Sequence, residues 1–147
     1  MMENRFLNGN ERITAAIADY REAPGFDTTA ALLLTLVQRM REDGHLLIPT
    51  DQREDEEGQT QFFFKTTFTE EGEVCMAAFT DEEELHKGPK TGVLSYFMDE
   101  FFRQVVNFQD CAGVMLNPWG EACFLPRTDL LRLLELAFPP TAPTDEA

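Results

Sequence analysis

Apolar residues recur along this chain at two different periods, and the alternation between them outlines its elements. Ile13, Ala16, Ile17 and Tyr20 fall at helical spacing before Pro24-Gly25 breaks the pattern, which predicts a short amphipathic helix ending near Ala23. Leu33, Leu36, Val37 and Met40 form a second helical stripe, with Asp27 as its expected N-cap and Gly44 as its terminator. Residues 45–49 read as a strand. The Phe- and Thr-rich run 61–69 and the alternating run 73–79 read as an antiparallel pair joined by Glu70-Glu71-Gly72. A short strand is expected over 93–95, and Phe97, Phe101 and Val105, with Phe102 beside them, predict a helix that docks an aromatic face onto the sheet. Strands over 113–117 and 122–125 flank Asn117-Pro118-Trp119-Gly120, whose residue order suits a tight turn. Pro126 then opens a closing helix with Leu130, Leu131, Leu134 and Phe138 as its buried stripe, and Pro139-Pro140 stops it.

The junction Phe79-Thr80-Asp81-Glu82-Glu83-Glu84-Leu85 contains a capping-box pattern. In that reading the Thr80 hydroxyl accepts from the Glu83 amide and the Glu83 side chain returns to the Thr80 amide. The acidic first turn also suits the positive end of a helix dipole. Backbone chemistry alone explains these carboxylates, whereas paired acid–base catalysis would need them to converge on one point.

Composition narrows the partners more than the fold. A chain of 147 residues accommodates one domain with one core. The expected division is an N-terminal helical extension over 1–25, a single domain over 26–139 and a disordered acidic tail over 140–147. With 12 basic against 27 acidic residues the net charge is −15, which disfavours phosphate backbones and anionic membranes. The surplus of acid serves either solubility or steering toward a basic protein. No apolar run approaches the roughly 20 residues of a membrane-spanning helix, and residues 1–10 lack the apolar core of a signal peptide, so a cytoplasmic location is expected.

Candidate chemistry is sparse. Cys75, Cys111 and Cys123 each lie beside apolar residues and read as reduced thiols of the interior, with Cys111 the most exposed of the three. Only His45 and His86 could serve a cysteine nucleophile as base, and close Cys or His pairs with zinc-ligand spacing are lacking. The acidic run Glu54-Asp55-Glu56-Glu57 does not match a calcium-loop pattern and reads as a solvated loop. Catalytic residues, metal and cofactor are therefore all expected to be none. Trp119, the single tryptophan, either folds back over the rim of the core or stands as an anchor for a partner. Asn117 is expected to start the turn by bonding to backbone two residues on. The candidate partner-binding residues are thus Asn117, Pro118, Trp119 and Gly120, with Thr80 and Glu83 as structural caps.

Three features in this order carry a family resemblance: the junction at 79–85, the aromatic helix near 97–105, and Gly113-Val114-Met115-Leu116-Asn117-Pro118-Trp119-Gly120 before Phe124-Leu125-Pro126. Together they resemble the SseB N-terminal domain over about residues 45–136. The resemblance implies an α+β fold with a mixed or antiparallel sheet of about five strands, packed with helices and preceded here by two N-terminal helices. It also implies a bacterial cytosolic protein from a family named for a serine-sensitivity phenotype, and it transfers no catalytic residues. The expected role is a non-catalytic binding or regulatory module acting through a protein partner, basic in surface, or through a second copy of the chain. An immunity-like inhibitor of a basic toxin or enzyme is one alternative. A small-molecule sensor with a pocket between the sheet and the 97–105 helix is the other.

Overall fold

A computed structural model describes residues 5–140. After a single 3-10 turn, Arg5–Leu7, two helices follow, α1 (Glu11–Glu22) and α2 (Phe26–Arg41). Next come β1 (His45–Glu54), β2 (Thr60–Phe64), β3 (Thr66–Phe68), β4 (Val74–Ala78) and the one-turn helix α3 (Glu82–Leu85). The chain closes with β5 (Gly92–Phe97), α4 (Met98–Val106), β6 (Gly113–Leu116), β7 (Cys123–Pro126) and α5 (Arg127–Ala137). The strands form two sheets, ordered β2-β1-β5 and β3-β4-β6-β7, antiparallel except for the β4–β6 pair. This is an α+β fold with more strands than the pattern alone suggested.

Pro49 explains why the expected strand over 61–69 is two. It sits within β1, where it can accept but not donate. Lys65 donates to the Pro49 carbonyl at 2.9 Å while its own carbonyl accepts from Ala77 at 3.3 Å. Lys65 therefore passes the chain from β1 to β4, ending β2 and starting β3. Beyond that gap Leu47 and Phe79 exchange bonds at 2.9 and 2.8 Å, which ties the two sheets together.

The four long helices cover one face of the sheets. On α4 the residues Met98, Phe101, Phe102 and Val105 fall at i, i+3, i+4 and i+7 and are fully buried. Burying each such side chain is worth about 1.5–3 kcal/mol. Phe64 meets Phe101 edge-on at 5.4 Å between the sheet and this helix. Phe97 is not on the helix but ends β5 and faces the other side, against His45. Ile13, Ala16 and Ile17 of α1 join the same buried cluster as α2, α4, α5 and the strands. The boundary expected near residue 25 thus falls between two helices of one packed layer. Of the expected tail, residues 141–147 lie outside the described residues.

Several local expectations change. Gly25, not Asp27, precedes the first turn of α2, and Asp27 lies within that turn. At the other end of α2, Asp43, just before the expected terminator Gly44, takes the left-handed conformation. On α5 the buried residues are Leu130, Leu133 and Ala137, while Leu131 and Phe138 are exposed. The helix begins at Arg127, with Pro126 as its N-cap. β1 runs on to Glu54, leaving only Asp55 to Gln59 as the turn, where the Asp55 carboxylate accepts from the amides of Glu57 and Gln59.

Candidate functional site

The second face of the sheet is covered by short segments, and the sequence signatures converge there. A small cluster of Leu47, Phe79 and Leu85 is packed from outside by Leu7 and Trp119. Trp119 folds back at 4.7 Å from the Phe79 ring and is half-buried. Gly88 makes that position accessible, because a Cβ there would stand 2.2 Å from the indole. Beside it, Leu85, His86, Gly88, Pro89, Lys90, Thr91 and Val93 line an open groove of about 360 Å³. Pro118 is half-buried and Gly120 exposed, and Gly88, against which the indole lies, also lines the groove.

Asn117 does not belong to that surface. It is 1% exposed, sits at φ +51°, and spends its side chain on Thr80. The Thr80 amide donates to Asn117 Oδ1 at 3.0 Å, and Asn117 Nδ2 donates to the Thr80 hydroxyl at 3.1 Å. The two-residues-on turn bond expected of Asn117 is replaced by this bridge; the turn closes instead through the Gly120 amide on the Asn117 carbonyl, 3.0 Å. Asn117 is thus a structural link rather than a partner-binding residue.

Thr80 is correspondingly not the cap. It is fully buried, its hydroxyl lies 3.2 Å from that of Thr14, and its carbonyl accepts from Asn10 Nδ2 at 2.8 Å. Asp81 caps α3, accepting from the Glu84 amide at 2.8 Å. Glu83 is exposed, whereas Glu84 is buried and paired with Lys87 at 2.5 Å. That bond holds the Lys87 ammonium above its usual range. The pattern fitted two frames, Thr80 to Glu83 and Asp81 to Glu84, and Asn117 decided between them by claiming Thr80.

The network continues to residues that no motif marked. Asn10 Nδ2 also donates to the His45 carbonyl at 2.8 Å, and its Oδ1 accepts from Arg39 Nε at 2.8 Å. Arg39, 3% exposed, further donates to the Phe6 carbonyl and to Glu42. A buried chain of hydrogen bonds thus runs from α2 through Asn10 and Thr80 to the Asn117 turn. A fully paired polar network of this kind rigidifies what it joins. The only hint in sequence was an Asn just before a helix, a position where Asn ordinarily caps.

His45 stands at the edge of this network. Its ring stacks on Phe6 at 4.2 Å, meets Phe97 at 4.4 Å, and shares a hydrogen between Nδ1 and the Ser95 hydroxyl at 2.8 Å. Burial, with the Arg39 charge as a lesser cause, lowers its pKa and favours the neutral ring. All three cysteines are buried free thiols, so Cys111, expected to be the most exposed, is not. It lies within bonding distance of the Gly113 carbonyl, 3.3 Å. Burial pushes the thiols of Cys75 and Cys123 up to about 11, the reverse of what a nucleophile requires.

Among the described residues no helix is long and apolar enough to cross a membrane. A family model described as the SseB protein N-terminal domain matches residues 13–131, starting well before the 45–136 span of the signature fragments and taking in both leading helices. Comparison with curated proteins and with solved structures returns no match.

Proposed function

The chain belongs to the SseB protein N-terminal domain family, and from that premise we propose that it works by binding rather than by catalysis, as a protein-contact module of the bacterial cytosol. The observation that carries the reading is the braced tryptophan. Trp119 is held from beneath by Phe79 and seated over Gly88, with part of the ring left open beside the 85–93 groove. A rigid, half-exposed indole loses little freedom on binding, and Trp is enriched among residues that dominate interfaces. Thiols held protonated by burial support the non-catalytic half of the proposal.

The contact surface is then Pro118, Trp119 and Gly120 with the groove, and the net charge of −15 favours a partner of basic surface. An inhibitor seated on a basic toxin or enzyme is the second reading, resting on that charge. Its affinity would fall steeply with salt, while an interface centred on Trp119 would depend weakly on it.

Affinity capture from source-organism lysate tests this, with wild-type chain and a Trp119→Ser variant, shown by circular dichroism to be folded, as paired baits. Specific proteins recovered by the first and lost by the second are the expected outcome. Equal recovery by both baits removes Trp119 from the interface. Metabolite turnover by the purified chain would sink the non-catalytic proposal.

A further inference from the structure

The strand β2 is left open along one side. Among the described residues it lies at the end of its sheet and pairs only with β1, in the register Thr50 to Phe64 and Glu54 to Thr60. Because Lys65 donates to Pro49, the backbone groups of residues 61 and 63 also turn toward β1, and those of Thr60, Phe62 and Phe64 point outward. Such a row is complemented only by another extended strand. Edge strands are ordinarily guarded by charge, proline or a covering element, yet Thr60-Gln61-Phe62-Phe63-Phe64 has no charged residue and no proline. Phe62 and Phe63 are 59% and 43% exposed.

The geometry points to a homodimer in which β2 of one chain pairs antiparallel with β2 of a second copy, about a two-fold axis at Phe62. The outward groups of Phe62 then meet those of the partner copy, and Thr60 lies opposite Phe64. Charge selects this arrangement. Continuing the same register places Lys65 of each copy beside the acidic turn Asp55-Glu56-Glu57 of the other, whereas a parallel approach would set acid against acid. Among the described residues Lys65 makes one long ion pair, to Asp51 at 3.8 Å, which leaves it able to reach across. The inference does not rest on the Trp119 surface.

Sedimentation velocity of the full chain over a range of concentrations tests it. A reversible monomer–dimer equilibrium is expected. Phe62→Lys would set two ammonium groups across the axis and raise the dissociation constant by about tenfold or more, with thermal unfolding unchanged at concentrations where both proteins are monomeric, since the side chain is exposed. Lys65→Glu is expected to weaken the dimer as well, most strongly at low salt. A chain that stays monomeric at every concentration, or a dimer that Phe62→Lys leaves intact, overturns the proposal. The latter result would place the contact on another surface.

Discussion

At the scale of single residues, Asn117 concentrates two constraints: a left-handed backbone and a buried amide that serves both the N–H and the hydroxyl of Thr80. Asn tolerates that backbone better than most side chains, and it alone among the tolerant residues also supplies donor and acceptor together. Asn117→Ala loses both and is expected to cost about 2–4 kcal/mol, from an unpaired buried amide and a strained φ. Asn117→Gly relieves the strain but leaves the amide unpaired, so it should recover about 1 kcal/mol of that loss. Urea unfolding of the two variants checks the ranking, and equal losses would show that backbone strain contributes nothing. Gly113 is constrained differently: at φ +153° a Cβ would stand 2.0 Å from the Leu125 carbonyl, so the β6–β7 hairpin closes only over a glycine. Both glycine and asparagine are visible in the sequence as turn or strand-end residues. Asn10 and Arg39 are not, because their partners lie 70 and 29 positions away and no local pattern encodes such a pairing.

At the scale of elements, the packing of two short connections on each other positions the tryptophan. The 86–91 loop supplies Gly88 and the β6–β7 turn supplies Trp119, and neither is regular structure. Gly88→Ala therefore should lift the indole from Phe79 rather than unfold the chain. As this is the single tryptophan, its fluorescence reports the move directly: a red-shifted emission and easier quenching by iodide are expected. Unchanged emission would mean that the loop yields instead of the ring. Element type was legible wherever periodicity ran long, as in α1, α2 and α4. It failed where a neighbour overruled local preference. Lys65 splits a Phe-rich run because Pro49 across from it cannot donate, and Phe97 joins β5 because pairing with His45 outweighs its helical spacing.

At the scale of the whole molecule, protonation couples these parts to stability. His45 has a lowered folded pKa, so below its ordinary value of 6.5 the unfolded chain binds protons that the native chain refuses. Its contribution is complete above about pH 6.5 and declines as the pH falls toward the folded value. Glu11 and Glu42, held below 4.5 chiefly by hydrogen bonds to backbone amides and to Arg12, continue the loss in more acid solution. At the alkaline end the sign reverses. Cys75 and Cys123 stay protonated in the native chain to about 11 while unfolded thiols ionise from 9.0, so stability falls as the pH rises through that window. Urea midpoints between pH 5 and 10 are expected to trace a dome, with His45→Phe flattening the limb between pH 5 and 6.5. A limb unchanged by that substitution would assign it to other groups.

The acid surplus, the helical and strand runs, and the family signature were all determined by the sequence itself, because each depends on composition or on neighbours within a few positions. The two-sheet order, the parallel β4–β6 pair and the choice of Asp81 over Thr80 as cap were decided only in three dimensions. So were the inward turn of Asn117 and the open edge of β2. The physical reason is common to all of them. A buried polar group must find its partner wherever the fold places one, and a strand's free edge exists only relative to the strands that failed to cover it.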